Sequence, residues 1–460
     1  MIYLDPKCDD QIQNGDETDI DCGGGTCGPC GLLRECDDGP DCKTGNCADG
    51  TCAPLPCDNG VRDGAETDVD CGGTCRKCAG GRMCGGDADC FSGSCAGVCS
   101  SLSTLAFGDV ETYPAGEKSY ALFSADLDGD GALDLLAANE QANSVTVFLN
   151  ADDGSGTFGR LAPDFDTGVY PTGGAIADFD GNGIPDLVTA DYRGDSVSVL
   201  LGNGDGSLQA PRTLDTVEGG ETSNLAVGDL DGDGVPDVVA SNPGADSVTS
   251  FKGRADGSLE AGVTLPIGLR GGSAPFSVAI ADFDGDGKND LAVADMQSRS
   301  LIVKRGNGDG TLGEEASFPE GGEPAYILIA SDVDLDGEID LVVANRGSDD
   351  VSVLLGFGDG TFADPIVSST GPGTGPYSLA IADFNQDGVP DVVTANFMSN
   401  DASVLIGVGN GAFDPPLSAG SMGNFPYGVV AGDWDDDGRP DIATCNALSN
   451  DVTVRKNRSL

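Results

Sequence analysis

From Asp126 to Asp441 the chain repeats one nine-residue acidic phrase seven times, D-x-D-x-D-G-x-x-D or a close variant. The copies open at Asp126, Asp178, Asp229, Asp282, Asp332, Asp383 and Asp433, so successive copies lie 52, 51, 53, 50, 51 and 50 residues apart. A period near fifty leaves room for one supersecondary unit per copy, and such a unit buries its apolar face only by stacking on its neighbours. The second copy, GGAIADFDGNGIPDLVTADYRGDSVSVLLGNGDGSLQAPRTLD, alternates short β-rich runs with Gly/Asp turns, as consecutive antiparallel strands do. Four strands fit each period. The runs DLLAA, DLVTA, DVVAS, DLAVA, DLVVA, DVVTA and DIATC are nearly continuous apolar stretches, which predicts strands covered on both faces. Radial stacking of four-stranded sheets gives an all-β fold, the β-propeller.

Within each phrase a tight turn folds alternate side chains inward, so carboxylates at positions 1, 3, 5 and 9 converge and the position-7 carbonyl is free to join them. That is a hard oxygen cage of the kind calcium takes, and magnesium, which keeps its waters, suits it less. The predicted ligands are Asp126, Asp128, Asp130 and Asp134; Asp178, Asp180, Asn182 and Asp186; Asp229, Asp231, Asp233 and Asp237; Asp282, Asp284, Asp286 and Asp290; Asp332, Asp334, Asp336 and Asp340; Asp383, Asn385, Asp387 and Asp391; and Asp433, Asp435, Asp437 and Asp441. Of these 28 side chains 26 are Asp and two are Asn, which keeps an oxygen. About seven Ca2+ ions are expected, in a structural role that pins the first two strands of each blade. Leu335, Gln386 and Asp436 replace the glycine at position 4 in the last three copies, so the weakest site is expected among them.

Charge and cysteine usage narrow the function classes. With 77 acidic against 23 basic residues the net charge is −54, which repels itself in a compact fold and is reduced to −40 by seven divalent ions. Nucleic acid and anionic membrane surfaces need clustered Lys and Arg, which this chain lacks. Histidine is absent, which removes His-based acid/base chemistry and His-dependent metal sites. No apolar run is long enough for a transmembrane helix. The start, MIYLDPKC, shows no signal peptide, so a mature form, or one lacking its true start, is expected.

Sixteen of the 17 cysteines fall between Cys8 and Cys99, which predicts a disulfide scaffold made in an oxidising compartment and an extracellular location. They form two copies of eight, with Cys8 to Cys52 mapping onto Cys57 to Cys99, and residues 1–52 and 53–100 are read as two modules. Eight cysteines allow 105 pairings, and spacing does not choose among them. Cross-links rather than an apolar core are expected to stabilise segments this short. Glu17, Asp19 and Asp21, with Glu66, Asp68 and Asp70, are a second, lesser set of candidate calcium ligands. The shared phrase, GDETDIDCGG and GAETDVDCGG, resembles cysteine-rich repeats of myxobacterial surface proteins.

DFDGNGIPDLV, DLDGDGVPDVV, DFDGDGKNDLA and DWDDDGRPDIA resemble the calcium-loop core of the FG-GAP or VCBS repeats of integrin α-subunit propellers and many bacterial secreted proteins. The resemblance covers residues 104 to 460 and implies a seven-bladed propeller, with calcium loops on one face and no single activity. The propeller domain is read as residues 101–460. Only two strands follow the last loop, so residues 104–112 are expected to supply the missing outer strand of blade seven and close the ring. Cys445 stands where other copies carry Ala or Ser and reads as a buried free thiol.

The turns between second and third strands, on the face away from the acidic loops, vary: NEQAN, DYRGD, NPGAD, DMQSR, NRGSD, NFMSN and NALSN. Variable loops on a repeated frame carry specificity. Tyr113, Tyr170, Phe276, Tyr326, Tyr377 and Tyr427 are expected at the blade entries on that side. Tyr192, Arg193, Arg299, Arg346, Phe397 and Tyr427 are the candidate ligand-binding residues, against the alternative that these aromatics only pack between blades. Trp434 is read as core. Function is expected to be adhesion or ligand binding, with an extracellular protein or a glycan as partner. A structural surface-layer or filament component is the alternative. A calcium-dependent polysaccharide lyase or hydrolase comes last, since no nucleophile with a partner base is visible.

Overall fold

The computed structural model describes residues 105–268 and 272–459, together with a short ladder of Cys47–Ala48 against Thr51–Cys52. The chain divides into two units, Met1–Ser101 and Leu102–Leu460. The expected disulfide framework and the carboxylates around Asp19 and Asp68 lie outside the described residues.

The second unit is seven four-stranded antiparallel sheets. Blade one runs Ser119–Ala125, Asp134–Asn139, Ser144–Asn150 and Phe158–Asp166, and the others repeat that order. The second strand of every blade is buried along all six residues, as its apolar run dictates for a strand covered on both faces. First strands touch first strands from blade to blade, and the seventh touches the first, so the sheets close a ring.

Closure is made by chain segments far apart in sequence. Glu111–Pro114 pairs with Asp451–Arg455, placing Glu111 opposite Val454 and Tyr113 opposite Val452. A separate bridge joins Phe107 to Asn457. The closing segment thus overlaps the 104–112 expected: Ala106 to Gly108 already pair with Lys456 to Arg458, and the regular strand, Glu111–Pro114, runs two residues further.

The apolar core is split by blade interface. Leu127, Phe179, Leu230, Phe283, Val333, Phe384 and Trp434, the second residue of each acidic loop, each enter a different cluster between adjacent blades. Trp434 is 2% exposed and its indole N–H donates to Ser124, so it is core as expected. Cys445 is a buried free thiol whose pKa burial pushes up to about 12.

Acidic loops and the opposite channel mouth

Each loop is drawn tight by its own first carboxylate. Asp126 accepts the N–H of Gly129 at 2.7 Å and of Gly131 at 3.0 Å, and Asp332 repeats this with Leu335 and Gly337. The backbone at position 4 is left-handed, with φ of 76° at Gly129 but also 65° at Leu335, 56° at Gln386 and 55° at Asp436. The last three loops thus hold a side chain where glycine is the unstrained choice.

The ninth-position carboxylate ties the loop to the blade. Asp134 accepts from Leu127 N at 2.9 Å and Asn150 N at 2.8 Å, and Asp391 from Phe384 N and Gly407 N, each at 2.8 Å. Burial, outweighing those bonds, raises Asp134 and Asp290 to about 6, Asp441 to about 7, and Asp340 and Asp391 to about 8. In the first four loops one oxygen from each of positions 1, 3 and 9 gathers within 4.8 Å of the others: Asp126, Asp128, Asp134; Asp178, Asp180, Asp186; Asp229, Asp231, Asp237; and Asp282, Asp284, Asp290. In the fifth the gathered set is Asp332, Asp334 and Asp336.

In every loop the position-5 side chain also accepts the position-7 N–H, as Asp130 does from Ala132 at 2.9 Å, Asn182 from Ile184 at 2.7 Å and, in the fifth loop, Asp336 from Glu338 at 2.8 Å. Closely spaced carboxylates that are partly buried, acceptor-only and mutually repulsive fit a hard divalent cation. These acidic clusters can hold metal ions, and the all-oxygen donor set is consistent with calcium. Basic side chains share some loops. Lys252 pairs with Asp231 and Asp233, Arg305 with Asp284 at 3.2 Å, and Arg458 with Asp435 at 2.7 Å.

At the other end of the channel the first strands of six blades carry a β-bulge between their first and third residues. The residue skipped in each is Tyr120, Thr172, Phe276, Tyr326, Tyr377 or Tyr427, and a bulge re-aims such a side chain. Tyr120 stacks on Tyr427 with centroids 4.3 Å apart, Tyr377 stands edge-on to Tyr427 at 4.5 Å, and Tyr326 meets Tyr377 at 4.7 Å. The hydroxyls of Tyr120 and Tyr377 are hydrogen-bonded, and burial raises both pKa values far above the ordinary tyrosine range. A cavity of about 210 Å³ lies against this cluster, lined by Tyr120, Thr172, Asn224, Tyr377 and Tyr427 among others.

Tyr170 lies, as expected, in the turn directly before the first strand of blade two, Pro171–Ala177, whereas Tyr113 is not a blade-entry residue. Tyr113 sits in the closing strand against Phe148 and Phe158, and Tyr170 lies under Arg193, whose guanidinium is 4.2 Å from the ring centroid. Both directly precede a proline, Pro114 and Pro171. Counting six residues back from the first Asp of each loop gives Tyr120, Thr172, Phe276, Tyr326, Tyr377 and Tyr427, with Ser223 in blade three, whose first strand has no bulge.

Of the six candidate ligand-binding residues, Arg346, Phe397 and Tyr427 come together. Arg346 lies 4.6 Å from the Phe397 centroid, and Phe397 is 5.0 Å from Tyr427. Arg299 instead occupies the left-handed turn position held by Asn or Asp in the other blades, with φ of 57°, and pairs with Glu323 at 2.5 Å. Tyr192 is hydrogen-bonded to Glu221 and, chiefly by burial, raised to about 12. In the Arg193-Gly194-Asp195 triplet the Asp195 carboxylate is taken up by the N–H groups of Gly219 and Glu221, both at 2.8 Å, so it holds the loop.

The loop-bearing repeats match the FG-GAP-like repeat model six times, over residues 126–189, 178–240, 236–293, 282–337, 332–394 and 384–444. The chain belongs to that family. No curated protein matches it in sequence. Among solved structures it is similar to BBS1N in complex with ARL6DN, at 13% identity and TM-score 0.53, covering 77% of this chain and 97% of that one. It is also similar to virginiamycin B lyase from Staphylococcus aureus, at 10% identity and TM-score 0.51, covering 76% and 99%. A streptogramin B lyase matches at 14% identity and TM-score 0.50, covering 76% and 98%. At these identities the likeness is one of fold.

Proposed function

We propose that the chain is an extracellular, calcium-loaded binding module that takes its ligand at the channel mouth away from the acidic loops. The observation that carries this reading is the convergence of Arg346, Phe397 and Tyr427 with Tyr326 and Tyr377 beside an open cavity. Exposed apolar side chains flank the cluster on the neighbouring turns, Met398 at 56% and Leu448 at 64% exposure. Rings, a guanidinium and tyrosine hydroxyls in one place suit a ligand with apolar faces and polar edges, which is the description of a saccharide. Calcium at the acidic loops would act as structure, holding the first two strands of each blade so that the mouth keeps its shape. The test is glycan-array binding by the full chain in calcium, repeated after chelation and with Phe397→Ala and Tyr427→Ala. Binding that disappears in both variants while their melts persist supports the reading; binding to no glycan, or binding indifferent to both variants, refutes it.

A further inference from the structure

In a chain with a net charge of −54, Arg346 is one of four described arginines, with Arg193, Arg212 and Arg455, that have no carboxylate at ion-pair distance, and of these it lies over three rings. Six other arginines of the described residues, Arg160, Arg254, Arg299, Arg305, Arg439 and Arg458, lie within ion-pair distance of a carboxylate. Among the described residues Arg346 meets no carboxylate at that distance. Its guanidinium lies over three rings instead, 4.6 Å from the centroid of Phe397, 5.2 Å from Tyr326 and 5.7 Å from Tyr377. Nη1 donates to the Tyr326 hydroxyl at 2.9 Å, and Nε is buried with no partner. The residue as a whole remains partly open to solvent.

The edge of Arg346 within reach of a ligand is that of Nη1 and Nη2, since Nη2 is not buried and has no hydrogen-bond partner among the described residues, and such a planar fork matches the two oxygens of a carboxylate. The Tyr326 hydroxyl, accepting from Nη1, keeps its own O–H to donate to the same group. We infer that Arg346 and Tyr326 form an acid-group subsite, and that the ligand is a saccharide bearing a carboxylate. This rests on the reading of the channel mouth as a glycan site. The overall charge argues for one carboxylate rather than a polyanion. At physiological salt, screening over about 8 Å lets a local cation act on a nearby group, while an extended acidic chain would meet the rest of the surface.

The experiment is a glycan array of uronate- and sialate-terminated chains, their methyl esters and neutral counterparts, probed with the calcium-loaded full chain and with Arg346→Met, Arg346→Lys and Tyr326→Phe. Free carboxylates should be retained about tenfold or more over their esters, the usual worth of a charged hydrogen bond. Arg346→Met should bind acid and ester alike, and Arg346→Lys should restore only part of the preference. Melting curves of the variants separate lost recognition from lost fold. Equal binding of acids and neutral chains, or a preference untouched by Arg346→Met, overturns the acid subsite and leaves the glycan-site reading standing. Absence of any binding overturns both.

Discussion

Deleting residues 105–114 tests whether the ring depends on its closing strand. The segment supplies Gly108 N to Lys456 O, Ala106 O to Arg458 N, Gly108 O to Arg455 and Glu111 to Lys456, besides the ladder from Glu111 to Pro114. At about 1 kcal/mol net for each such bond, with about 1 to 2 kcal/mol more for each of the rings of Tyr113 and Phe107, the loss is about 8 kcal/mol. A typical domain has about 5 to 15 kcal/mol in all, so the propeller should melt on the order of 15 °C lower or fail to fold cooperatively. The chain's single tryptophan, Trp434, reports on the seam, because it is buried in the cluster between blades seven and one, 6.2 Å from Phe158. Its emission should move to the red at temperatures where the unaltered protein is still folded. A melt and an emission spectrum that both match the unaltered protein in saturating calcium would show that the ring holds without this strand.

Three further outcomes are expected. Exhaustive chelation should lower the melting temperature, and elemental analysis of the replete protein should find calcium near seven per chain; retention of the full melt with no metal found would remove the proposed role of the loops. Glu320 is 2% exposed with neither carboxyl oxygen in a well-formed hydrogen bond, and burial, only partly offset by the nearby Ala325 N–H, raises it from 4.5 to about 7. Because the folded protein holds that proton more tightly than the unfolded one, its stability should fall as pH rises from about 4.5 through 7, by about 3 kcal/mol at most. Glu320→Gln should abolish that part of the slope and melt higher at pH 8. Leu335→Gly, at a left-handed and partly exposed position, should stabilise the fifth loop by about 1 kcal/mol and tighten calcium there, as seen by calorimetric titration.

The sequence made the repeat, the strands and the acidic loops readable because each rests on short-range rules. An apolar run flanked by Gly/Asp turns has few other destinations, and alternate acids around two glycines have one way to converge. The position-5 acids were harder to place, since one oxygen of each is held by the position-7 N–H in every loop and only the rest of the side chain is left for a shared cation. The channel mouth was the least readable part. Tyr120 and Tyr113 lie seven residues apart with similar surroundings, and only the bulge in the first strand decides that Tyr120 turns inward while Tyr113 joins a sheet formed with the far end of the chain. Likewise Arg299 and Arg346 look alike as loop arginines, yet one occupies a turn position that fixes it against Glu323 and the other lies over aromatic rings.

The pairing of Glu111 with Val454 also sets the order in which this molecule can be made. A ribosome delivering the chain produces six whole sheets and most of a seventh before the seam has its second half, so each nascent blade waits with an open flank. Chaperones would meet an unclosed horseshoe until Asp451–Arg455 emerges, and resistance to proteases should arrive only after that strand has paired.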